Sequence, residues 1–534
     1  MTHPESSQAI GKETPTGIQW SRLLGVLFLA LIVRAYLCSQ PACISRDGVQ
    51  FVTFARQLAE DPIRWMRIHT KQPGFSFVLL ATHRVFGPVF GGDTPEAWQR
   101  CGEIPALLGG VAVCGLIYIL TRRLFKDDRI AAAAGLLACF WPQGAHLSAD
   151  ALSDMPHLAL YLAALLLATG VLTKPRIWKL AFCGTVTGMA YLLRQEALGH
   201  LAAVALALLW LRPFKTWGQN LSGIIVLLIG FVVAVAPYSI ACGQIMPNKG
   251  PQDLIERLGA APEPCSLLLA KIPSWQIPGN LAEAWAKSGR YVFSTLFVLA
   301  LLIKTVPRAE PKGKQFVLIA VLIHVLLVLL RVSVFGETST RYMVIPVVLC
   351  LPWAAAALTT IFSALATRSA HSEMKLRMVC LCGWIVTLAL PLYYVSLPVN
   401  AGKEPYRVAG IWLRQHADPD DFALAHDRLE QFMFYAGRTY PHQDKWLKYK
   451  ETDSVELIRK RLRRHKPDWV VDATASRRQP VNESRFFSAL SSVPELTPMY
   501  STTPSERRVH IFRTTPRTLV PTGVPTSNSV PSIR

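Results

Sequence analysis

The sequence predicts an α-helical polytopic membrane protein of about eleven transmembrane helices, followed by a small C-terminal α/β domain. Of its 534 residues, 51% are hydrophobic and 17% are charged, whereas about a quarter of an average soluble domain is charged. Apolar runs of roughly 18 to 22 residues, long enough to cross a bilayer, recur over residues 20–398. Residues 399–513 lack such runs and alternate helix-like with strand-like stretches.

The distribution of Lys and Arg predicts the orientation of the spans, because short cytoplasmic loops are enriched in these residues. Five short basic segments lie between apolar runs and are assigned to the cytoplasm: 121–129, 173–179, 211–215, 304–314 and 367–377. Two spans then separate each consecutive pair, which places the N-terminal segment 1–19 inside and the C-terminus outside. The predicted spans are 20–38, one that follows the first outer loop (39–99), 129–147, 155–173, 178–193, 197–211, 220–241, 290–304, 315–331, 342–362 and 378–397.

Residues 74–90 are apolar but too short to be counted as a span. They are interrupted by His83 and Arg84 and end at Gly and Pro. If they crossed the membrane, the basic segment 121–129 would lie outside. We therefore predict a re-entrant or interfacial helix on the outer side, within the first outer loop.

The C-terminal part is predicted to be a small extracytoplasmic α/β domain over residues 399–513. Short strands are expected over "FALAH" (422–426), "DWVVDA" (468–473) and "RVHIFR" (508–513), and helices over 406–417 and 453–465. Residues 514–534 are rich in Ser, Thr and Pro and are predicted to be disordered.

The formal net charge of +21 does not indicate nucleic-acid binding, because many of the Lys and Arg lie in short loops, where they set topology. The densest basic run, "RKRLRRHK" (459–466), is interpreted as a solvated or lipid-facing helix surface. No nucleic-acid partner is predicted. Most of the eleven Cys lie in apolar runs; Cys242 and Cys265 could pair in an outer loop, although nothing in the sequence requires a disulfide.

Charged residues collect at the outer ends of the predicted spans and in the outer loops. Charges near a bilayer core are costly and tend to be functional, and we place only His324 deep in a span. A site at the outer face is therefore predicted from these residues: Asp47, Lys71, Asp150, Asp154, Arg194, Glu196, Glu337 and Arg341.

The two aspartates that follow membrane segments have a structural interpretation as well. Asp47 and Gln50 form a capping-box-like pattern, so that Asp47 would cap a helix lying on the membrane surface. A capping carboxylate at that depth can also act as a base. Asp154 would likewise cap a span, and Asp150 competes with it for a catalytic role.

The basic residues also have two interpretations each. Lys71 precedes a helix N-terminus, which suits an anion site, or it extends to lipid headgroups. Arg34 lies near the outer end of the first span and either snorkels or binds an anionic headgroup in the site. Arg194 and Glu196 could pair with each other.

Arg341 and Tyr342 form the last candidate pair, with an interfacial anchor as the structural alternative. The sequence contains no metal-ligand cluster, no phosphate-binding loop and no nucleophile motif. No cofactor is predicted, although the sequence does not exclude a divalent metal.

Taken in order, the motifs resemble the GT-C class of lipid-sugar-dependent glycosyltransferases, the group that includes the protein O-mannosyltransferases and the aminoarabinose transferase of lipid A. The resemblance covers about residues 20–400. It rests on Arg34, "SRDGVQF" (45–51), "KQPGFSFVLLATHRVFG" (71–87), "RRLFKDDRIAAAAGLLA" (122–138), "ALSDMPHLALYL" (151–162), "GTVTGMAYLLRQEAL" (184–198) and "RYMVIP" (341–346). The start of the tail, "EPYRVAGIWLRQHADPDD" (404–421), resembles the external domain that the bacterial branch often carries.

The resemblance implies transfer of a hexose or pentose from a polyprenyl-phosphate donor to an acceptor hydroxyl at the outer face, with inversion. Asp47 matches the carboxylate that takes the acceptor proton, and Lys71 matches the phosphate-binding lysine. Arg34 matches an arginine near the donor, and Asp154 matches a second outer-loop acid. Several relatives carry a second acid in the first loop, whereas Gly48 follows Asp47 here, so no metal is predicted.

Two other classes of function compete with a transferase. A transporter or flippase of lipid-linked sugars would place ionisable residues at mid-membrane and show repeat symmetry. A non-catalytic scaffold, whose external domain binds a partner, would have no use for Asp47 and Lys71. The bacterial type of the resemblance and the lack of an organelle signal indicate a multi-pass protein of the cytoplasmic (inner) membrane that acts on the cell envelope.

Overall fold

The structure is a computed structural model. It describes residues 18–40, 43–243, 276–302, 310–335, 339–368, 373–426, 429–440, 446–449, 455–473, 490, 493, 496–502 and 509–514. The chain divides into two compact units, Met1–Val399 and Asn400–Arg534. Glu337, Cys265 and nearly all of the predicted terminal segments lie outside the described residues, and the predictions made for them stay predictions.

The first unit consists of helices. They are α1 (Trp20–Ser39), α2 (Arg46–Glu60), α3 (Pro62–Ile68), α4 (Gly74–Phe86), α5 (Pro95–Phe125), α6 (Asp128–Cys139), α7 (Pro142–Leu147), α8 (Asp154–Thr173), α9 (Trp178–Leu193), α10 (Leu198–Leu211), α11 (Trp217–Cys242), α12 (Gln276–Ser288), α13 (Val292–Leu302), α14 (Pro311–Phe335), α15 (Val344–Arg368) and α16 (Glu373–Ser396). Short 3₁₀ turns lie at Gly87–Phe90, Gln195–Ala197 and Thr340–Met343.

Seven helices in the described part of the chain are long and apolar enough to cross a membrane. The protein is therefore a multi-pass membrane protein, as predicted. The four remaining predicted spans correspond to shorter helices: α6, α9, α10 and α13, of 12, 16, 14 and 11 residues. The count of eleven crossings stays a prediction.

The predicted span 129–147 is not one helix. Helix α6 ends at Cys139, and α7 begins at Pro142. Proline has no backbone N–H to donate and its ring crowds the preceding turn, so a helix does not run through it undisturbed. The guanidinium of Arg34 binds the carbonyl oxygens of Ala138 (3.2 Å) and Cys139 (3.1 Å), which lack helical partners at this end.

The segment predicted to form the first outer loop contains three short helices, α2, α3 and α4. Helix α2 is amphipathic and buries Phe51, Phe54 and Leu58, which recur at the spacing of one helix face. Helix α4 packs on it: the ring of Phe75 meets that of Phe51 edge-on, with centroids 5.0 Å apart. The Ser76 hydroxyl donates to the Phe51 carbonyl at 3.1 Å.

The predicted capping role of Asp47 is wrong. The N-cap of α2 is Ser45, whose hydroxyl accepts from the Gly48 N–H at 3.1 Å. Asp47 is the second residue of the helix. Its carboxylate still gains from the positive end of the helix dipole, but it is free to bind other groups.

A glycine brings the start of α4 against the end of α9. A Cβ added at Gly74 would lie 2.5 Å from the Leu192 carbonyl oxygen, closer than real contacts allow. This approach sets Lys71, just before α4, beside Arg194, just after α9. Gly184 and Gly230 allow a similar backbone approach between α9 and α11.

The second unit contains one five-stranded sheet. Its elements are helices α17 (Glu404–His416), α18 (Glu430–Tyr435) and α19 (Val455–His465), and strands β1 (Ala423–His426), β2 (Trp446–Tyr449), β3 (Trp469–Ala473), β4 (Leu496–Ser501) and β5 (Val509–Thr514). The strand order is β2-β1-β3-β5-β4. Strand β1 is parallel to β2 and β3, whereas β5 is antiparallel to β3 and β4.

The predicted strands and helices of the second unit match β1, β3, β5, α17 and α19. Strands β2 and β4 were not expected. Strand β2 has only four residues, and β4 contains Pro498, next to a register shift against β5. Short length and an internal proline both weaken a strand pattern.

Candidate active site

A cavity of about 270 Å³ opens among the ends of several helices of the first unit. The start of α2, the segment before α4, the end of α9 and the 3₁₀ turn Thr340–Met343 contribute to it. The lining residues are Asp47, Phe51, Lys71, Gln72, Ser153, Leu193, Arg194, Gln195, Glu196, Arg331, Ser339, Arg341 and Tyr342.

Asp47 is bound on both carboxylate oxygens. Its Oδ1 accepts from Lys71 Nζ at 3.1 Å, and its Oδ2 accepts from Arg341 Nη1 at 2.5 Å. The Lys71 ammonium also lies 4.6 Å from the centre of the Phe51 ring, a cation–π distance. The predicted base and the predicted phosphate-binding lysine are therefore in direct contact.

Arg341 joins two aspartates that lie far apart in the sequence. Besides Asp47, its guanidinium binds Asp154 through Nη2 (2.7 Å) and Nε (3.4 Å). A planar guanidinium with several N–H groups suits such bridging better than an ammonium. The turn that carries Arg341 begins at Ser339, whose hydroxyl accepts from the Arg341 N–H at 3.3 Å.

Arg194 continues the series on the other side of Asp154. Its Nη1 binds Asp154 Oδ1 at 3.0 Å, and its Nη2 binds Glu196 Oε1 at 2.7 Å. The pairing of Arg194 with Glu196, considered from the sequence, is confirmed. The six side chains form one series of alternating charge, which we call the ion-pair chain: Lys71–Asp47–Arg341–Asp154–Arg194–Glu196.

Asp154 does not cap α8, contrary to the prediction. Ser153 occupies the N-cap position, and Asp154 is the first helical residue. Its carboxylate is almost fully buried. A buried carboxylate needs charged partners to offset its lost hydration, and the two arginines provide them.

The pKa values follow from burial and from these partners. Burial alone would raise the pKa of Asp47, but Lys71 and Arg341 outweigh it and lower the pKa to about 2. Glu196 is similar: burial opposes ionisation, and Arg194 lowers its pKa to about 2. Burial lowers the pKa of Lys71, and the charge of Asp47 works against this. Asp47 and Glu196 are thus ionised at neutral pH.

Arg34 and Asp150 are not among the described residues that line the cavity. Arg34 is only 1% exposed, so the snorkelling interpretation is wrong; its guanidinium holds the end of α6. Asp150 Oδ1 accepts from the backbone N–H groups of Ser45 (3.1 Å) and Ala151 (2.9 Å). Asp150 therefore ties the segment before α8 to the residue that caps α2.

Sequence reasoning missed one charged residue of the cavity, Arg331. It lies in the penultimate turn of α14, and its Nη2 donates to the Tyr342 hydroxyl at 2.8 Å. The available signal was a charge inside the apolar run "LLRVSVF" (329–335). Gln72, Ser153, Gln195 and Ser339 were missed as well, although each is adjacent or close in sequence to a predicted residue.

The expectation that His324 alone lies deep in a span stays a prediction, because burial inside the protein does not give the depth of a residue in a membrane. His157 and His200 are buried as well, in α8 and α10. The Tyr161 ring contacts the rings of His200 and His324, with centroid distances of 5.1 and 5.2 Å. These side chains bond one another and backbone carbonyls, for example His157 to the Ala190 carbonyl at 3.0 Å.

The ion-pair chain does not fit a divalent metal. Within the described ranges, no three His, Cys, Asp or Glu side chains are grouped so as to hold one. The carboxylates of Asp47, Asp154 and Glu196 are each bound by an ammonium or a guanidinium instead.

Comparison with known proteins identifies relatives of this architecture. Residues 98–239 match the model of the dolichyl-phosphate-mannose-protein mannosyltransferase family. A search of curated proteins finds no match.

Solved structures match over nearly the whole chain. The structure of ArnT from Cupriavidus metallidurans in the apo state has 15% identity and a TM-score of 0.56, covering 92% of this chain and 98% of that one. The same protein bound to undecaprenyl phosphate has 15% identity, a TM-score of 0.58 and the same coverage. Arabinofuranosyltransferase AftD from Mycobacteria has 15% identity and a TM-score of 0.50, covering 93% of this chain and 42% of that one.

The likeness to these structures concerns the fold, and the family model adds a sequence match within the helical unit. The resemblance that the sequence motifs indicate is therefore confirmed: the chain has the GT-C glycosyltransferase fold of ArnT, and its residues 98–239 match the dolichyl-phosphate-mannose-protein mannosyltransferase family.

Proposed function

We propose that this protein transfers a hexose or pentose from a polyprenyl-phosphate donor to an acceptor hydroxyl of a glycan, lipid or protein, with inversion at the anomeric carbon. The observation that carries the proposal is the ion-pair chain around a cavity in a GT-C fold. It combines a carboxylate that can take a proton with cations that can hold a phosphate. ArnT from Cupriavidus metallidurans has been solved with undecaprenyl phosphate, a ligand of this class.

Asp47 acts as the base in the proposed reaction. It takes the proton of the acceptor hydroxyl while the hydroxyl oxygen forms a bond to the anomeric carbon. The bond from that carbon to the phosphate oxygen breaks, and the electron pair leaves with the polyprenyl phosphate. A single displacement of this kind inverts the configuration.

Lys71 binds the phosphate in the proposed complex, and Arg341 supplies a second cation beside Asp47. Both already contact Asp47, so the phosphate and the base occupy adjacent positions. Charge that develops on the leaving phosphate is stabilised by donors that are in place before the reaction.

Donor binding makes Asp47 a stronger base. In the free site, the two cations hold the pKa of Asp47 near 2, which makes the carboxylate a weak proton acceptor. A bound phosphodiester brings a negative charge to the same cations and reduces their effect on Asp47. The pKa of Asp47 then rises toward the range in which a general base works well.

The remaining residues hold the site in this arrangement. Asp154, Arg194 and Glu196 orient Arg341, while Tyr342 contributes a hydroxyl to the cavity. We propose that Arg34 and Asp150 act on the backbone around the site rather than on the substrate. The reaction as derived uses no metal ion.

We place the cavity at the outer face of a bacterial cytoplasmic membrane. The N-terminus is then cytoplasmic and the second unit extracytoplasmic. The basic segments between the spans support this orientation, and a lipid-linked donor would reach the cavity from the outer leaflet.

Turnover of lipid-linked sugars tests the proposal. The purified protein is given a panel of polyprenyl-phosphate sugars, and released or transferred sugar is measured for wild type, Asp47→Asn and Lys71→Ala. We expect wild type to consume at least one donor. Loss of the base should lower kcat by about 10²- to 10⁴-fold, and loss of Lys71 should mainly weaken donor binding.

The matched control is Asp93→Asn, because Asp93 also pairs with an arginine, Arg56 at 3.4 Å, but does not line the cavity. It should retain wild-type turnover. If no donor were consumed while a labelled lipid-linked sugar still crossed between the leaflets of liposomes, the transferase proposal would fail and a flippase would take its place.

A further inference from the structure

Arg331 is a charged residue on a helix that is otherwise suited to a membrane. Helix α14 is long and apolar enough to be a span, and Arg331 lies within its last two turns. A charged side chain in such a position is costly unless it meets polar groups or a polar cavity. Arg331 meets both, because it lines the cavity and contacts Tyr342.

The contact between Arg331 and Tyr342 has two parts. The guanidinium donates from Nη2 to the phenol oxygen at 2.8 Å, and its central carbon lies 4.3 Å from the centre of the phenol ring. One bond fixes the hydroxyl and the other contact fixes the ring. Together they restrict the rotation of Tyr342 about both of its side-chain torsions.

Tyr342 follows Arg341 in the same 3₁₀ turn. The turn is closed by the bond from the Tyr342 N–H to the Ser339 carbonyl at 3.1 Å. Arg331 therefore links α14 to the turn that carries Arg341, the residue that bridges Asp47 and Asp154.

We propose that Arg331 is a positioning residue that aims the Tyr342 hydroxyl at the phosphate of the bound lipid-linked donor. The inference rests on the proposed function for the identity of the ligand. The phenol oxygen accepts from Arg331, which leaves its own hydrogen available to a further acceptor, and both side chains line the cavity. Hydrogen bonds in series polarise one another, so the charged donor makes the phenol a better donor in turn.

A double-mutant cycle tests whether Arg331 acts through the Tyr342 hydroxyl. The variants are Arg331→Gln, Tyr342→Phe and the two combined, each reconstituted as the full chain. Two quantities are measured: the Kd for undecaprenyl phosphate, and kcat and KM on the donor that wild type consumes.

Each single variant should weaken undecaprenyl phosphate binding by about 10- to 100-fold, the range for a hydrogen bond to a charged group. The double variant should be no weaker than the worse single variant, because both changes remove the same interaction. Losses that multiply in the double variant would overturn the proposal, as would an Arg331→Gln protein that binds like wild type.

Two further variants separate positioning from simple charge or folding. Arg331→Lys keeps the charge but lacks the planar group that both bonds the hydroxyl and covers the ring, so it should recover only part of the loss. Full recovery would mean that charge alone matters and would contradict the proposal. Arg290→Gln is the matched control, since Arg290 covers the Tyr394 ring at 4.1 Å but does not line the cavity; it should bind the lipid like wild type.

The two readouts keep this proposal apart from the proposed function. Suppose that wild type turns over no donor, but the Kd values of the double-mutant cycle show that Arg331 and Tyr342 are coupled. The transferase function then fails, and the role of Arg331 toward the phosphate stands. If wild type is active and the cycle is uncoupled in both readouts, the function stands and the role of Arg331 is refuted.

Discussion

At the residue scale, the start of α2 divides two tasks between neighbours. Ser45 satisfies a backbone N–H at the helix end, and Asp47 binds Lys71 and Arg341. Because the cap does not depend on Asp47, a change of that carboxylate to an amide should leave the helix start intact. Loss of activity in Asp47→Asn can then be attributed to the charge.

The ionisation of Asp47 makes a direct prediction about pH. Its folded-state pKa of about 2 lies below the ordinary value of about 3.9. The ionised carboxylate therefore stabilises the folded protein fully above about pH 4, and this contribution is lost as the pH falls through about 2. The side chain is 37% exposed, so solvent screens the effect.

Removing Lys71 should raise the pKa of Asp47, because the charge of Lys71 is, of the nearby charges, the one that lowers this pKa most. In Lys71→Met, we expect the carboxyl to bind a proton at a higher pH than in wild type. Infrared titration of the carboxyl band measures this, with the band assigned by its absence in Asp47→Asn. Lys287→Met, which removes an exposed lysine paired with Glu283, should leave the band unshifted. If the Asp47 carboxyl titrated at the same pH in Lys71→Met as in wild type, the ion pair between Lys71 and Asp47 would be contradicted.

At the scale of elements, the approach of α4 to α9 determines where two cations lie. Gly74 has no room for a side chain, because the Leu192 carbonyl group occupies that position. Lys71 precedes the contact by three residues, and Arg194 follows Leu192 by two. A change in the spacing of the two helices therefore moves Lys71 relative to the rest of the ion-pair chain.

Gly74→Ala should destabilise the protein by about 1–3 kcal/mol, since the added methyl group must push two backbones apart. Chemical unfolding in detergent measures the change. The control is Gly25→Ala in α1, where no atom lies within 4 Å of the new Cβ; alanine favours helix, so stability should be unchanged or slightly higher. Equal stabilities for the two variants would show that the backbones separate without cost.

Apolar runs predicted most helices well, because their length and composition are local properties. The break between α6 and α7 was missed, since Trp141 and Pro142 lie in an apolar run whose membrane depth the sequence does not reveal. Strands β2 and β4 were missed for a related reason: pairing with neighbouring strands, not the local sequence pattern, makes these segments strands.

The site was predictable only in part. The assignment of loops to the two sides of the membrane correctly predicted that Asp47, Lys71, Asp154, Arg194 and Glu196 lie near one another, as their ion pairs demonstrate. Such an assignment shows at which end of a span a residue lies, but it does not show the direction in which the side chain points. For this reason Asp150 was collected with the others, although it binds the backbone N–H groups of Ser45 and Ala151. Arg34 was a separate candidate, chosen from its place near the outer end of the first span, and it binds the carbonyl groups of Ala138 and Cys139.

At the scale of the whole molecule, every member of the ion-pair chain belongs to the first unit, Met1–Val399. A chain that ends at Val399 should therefore bind undecaprenyl phosphate with a Kd within about threefold of the full protein, a free-energy difference below about 1 kcal/mol. Titration of both forms in detergent provides the comparison. Loss of binding in a truncated chain that still unfolds cooperatively would mean that the second unit contributes to the donor site.

The wide spacing of the ion-pair chain along the sequence has a consequence for biosynthesis. Lys71 follows Asp47 by 24 residues and Arg194 follows Asp154 by 40, whereas Arg341 reaches back 187 and 294 residues to its two partners. Because the N-terminal part of a chain emerges from the ribosome first, both partners of the Asp47–Lys71 pair and of the Asp154–Arg194 pair are made before Arg341. Arrival of Arg341 joins them, so the cavity is completed only after α14 has been inserted.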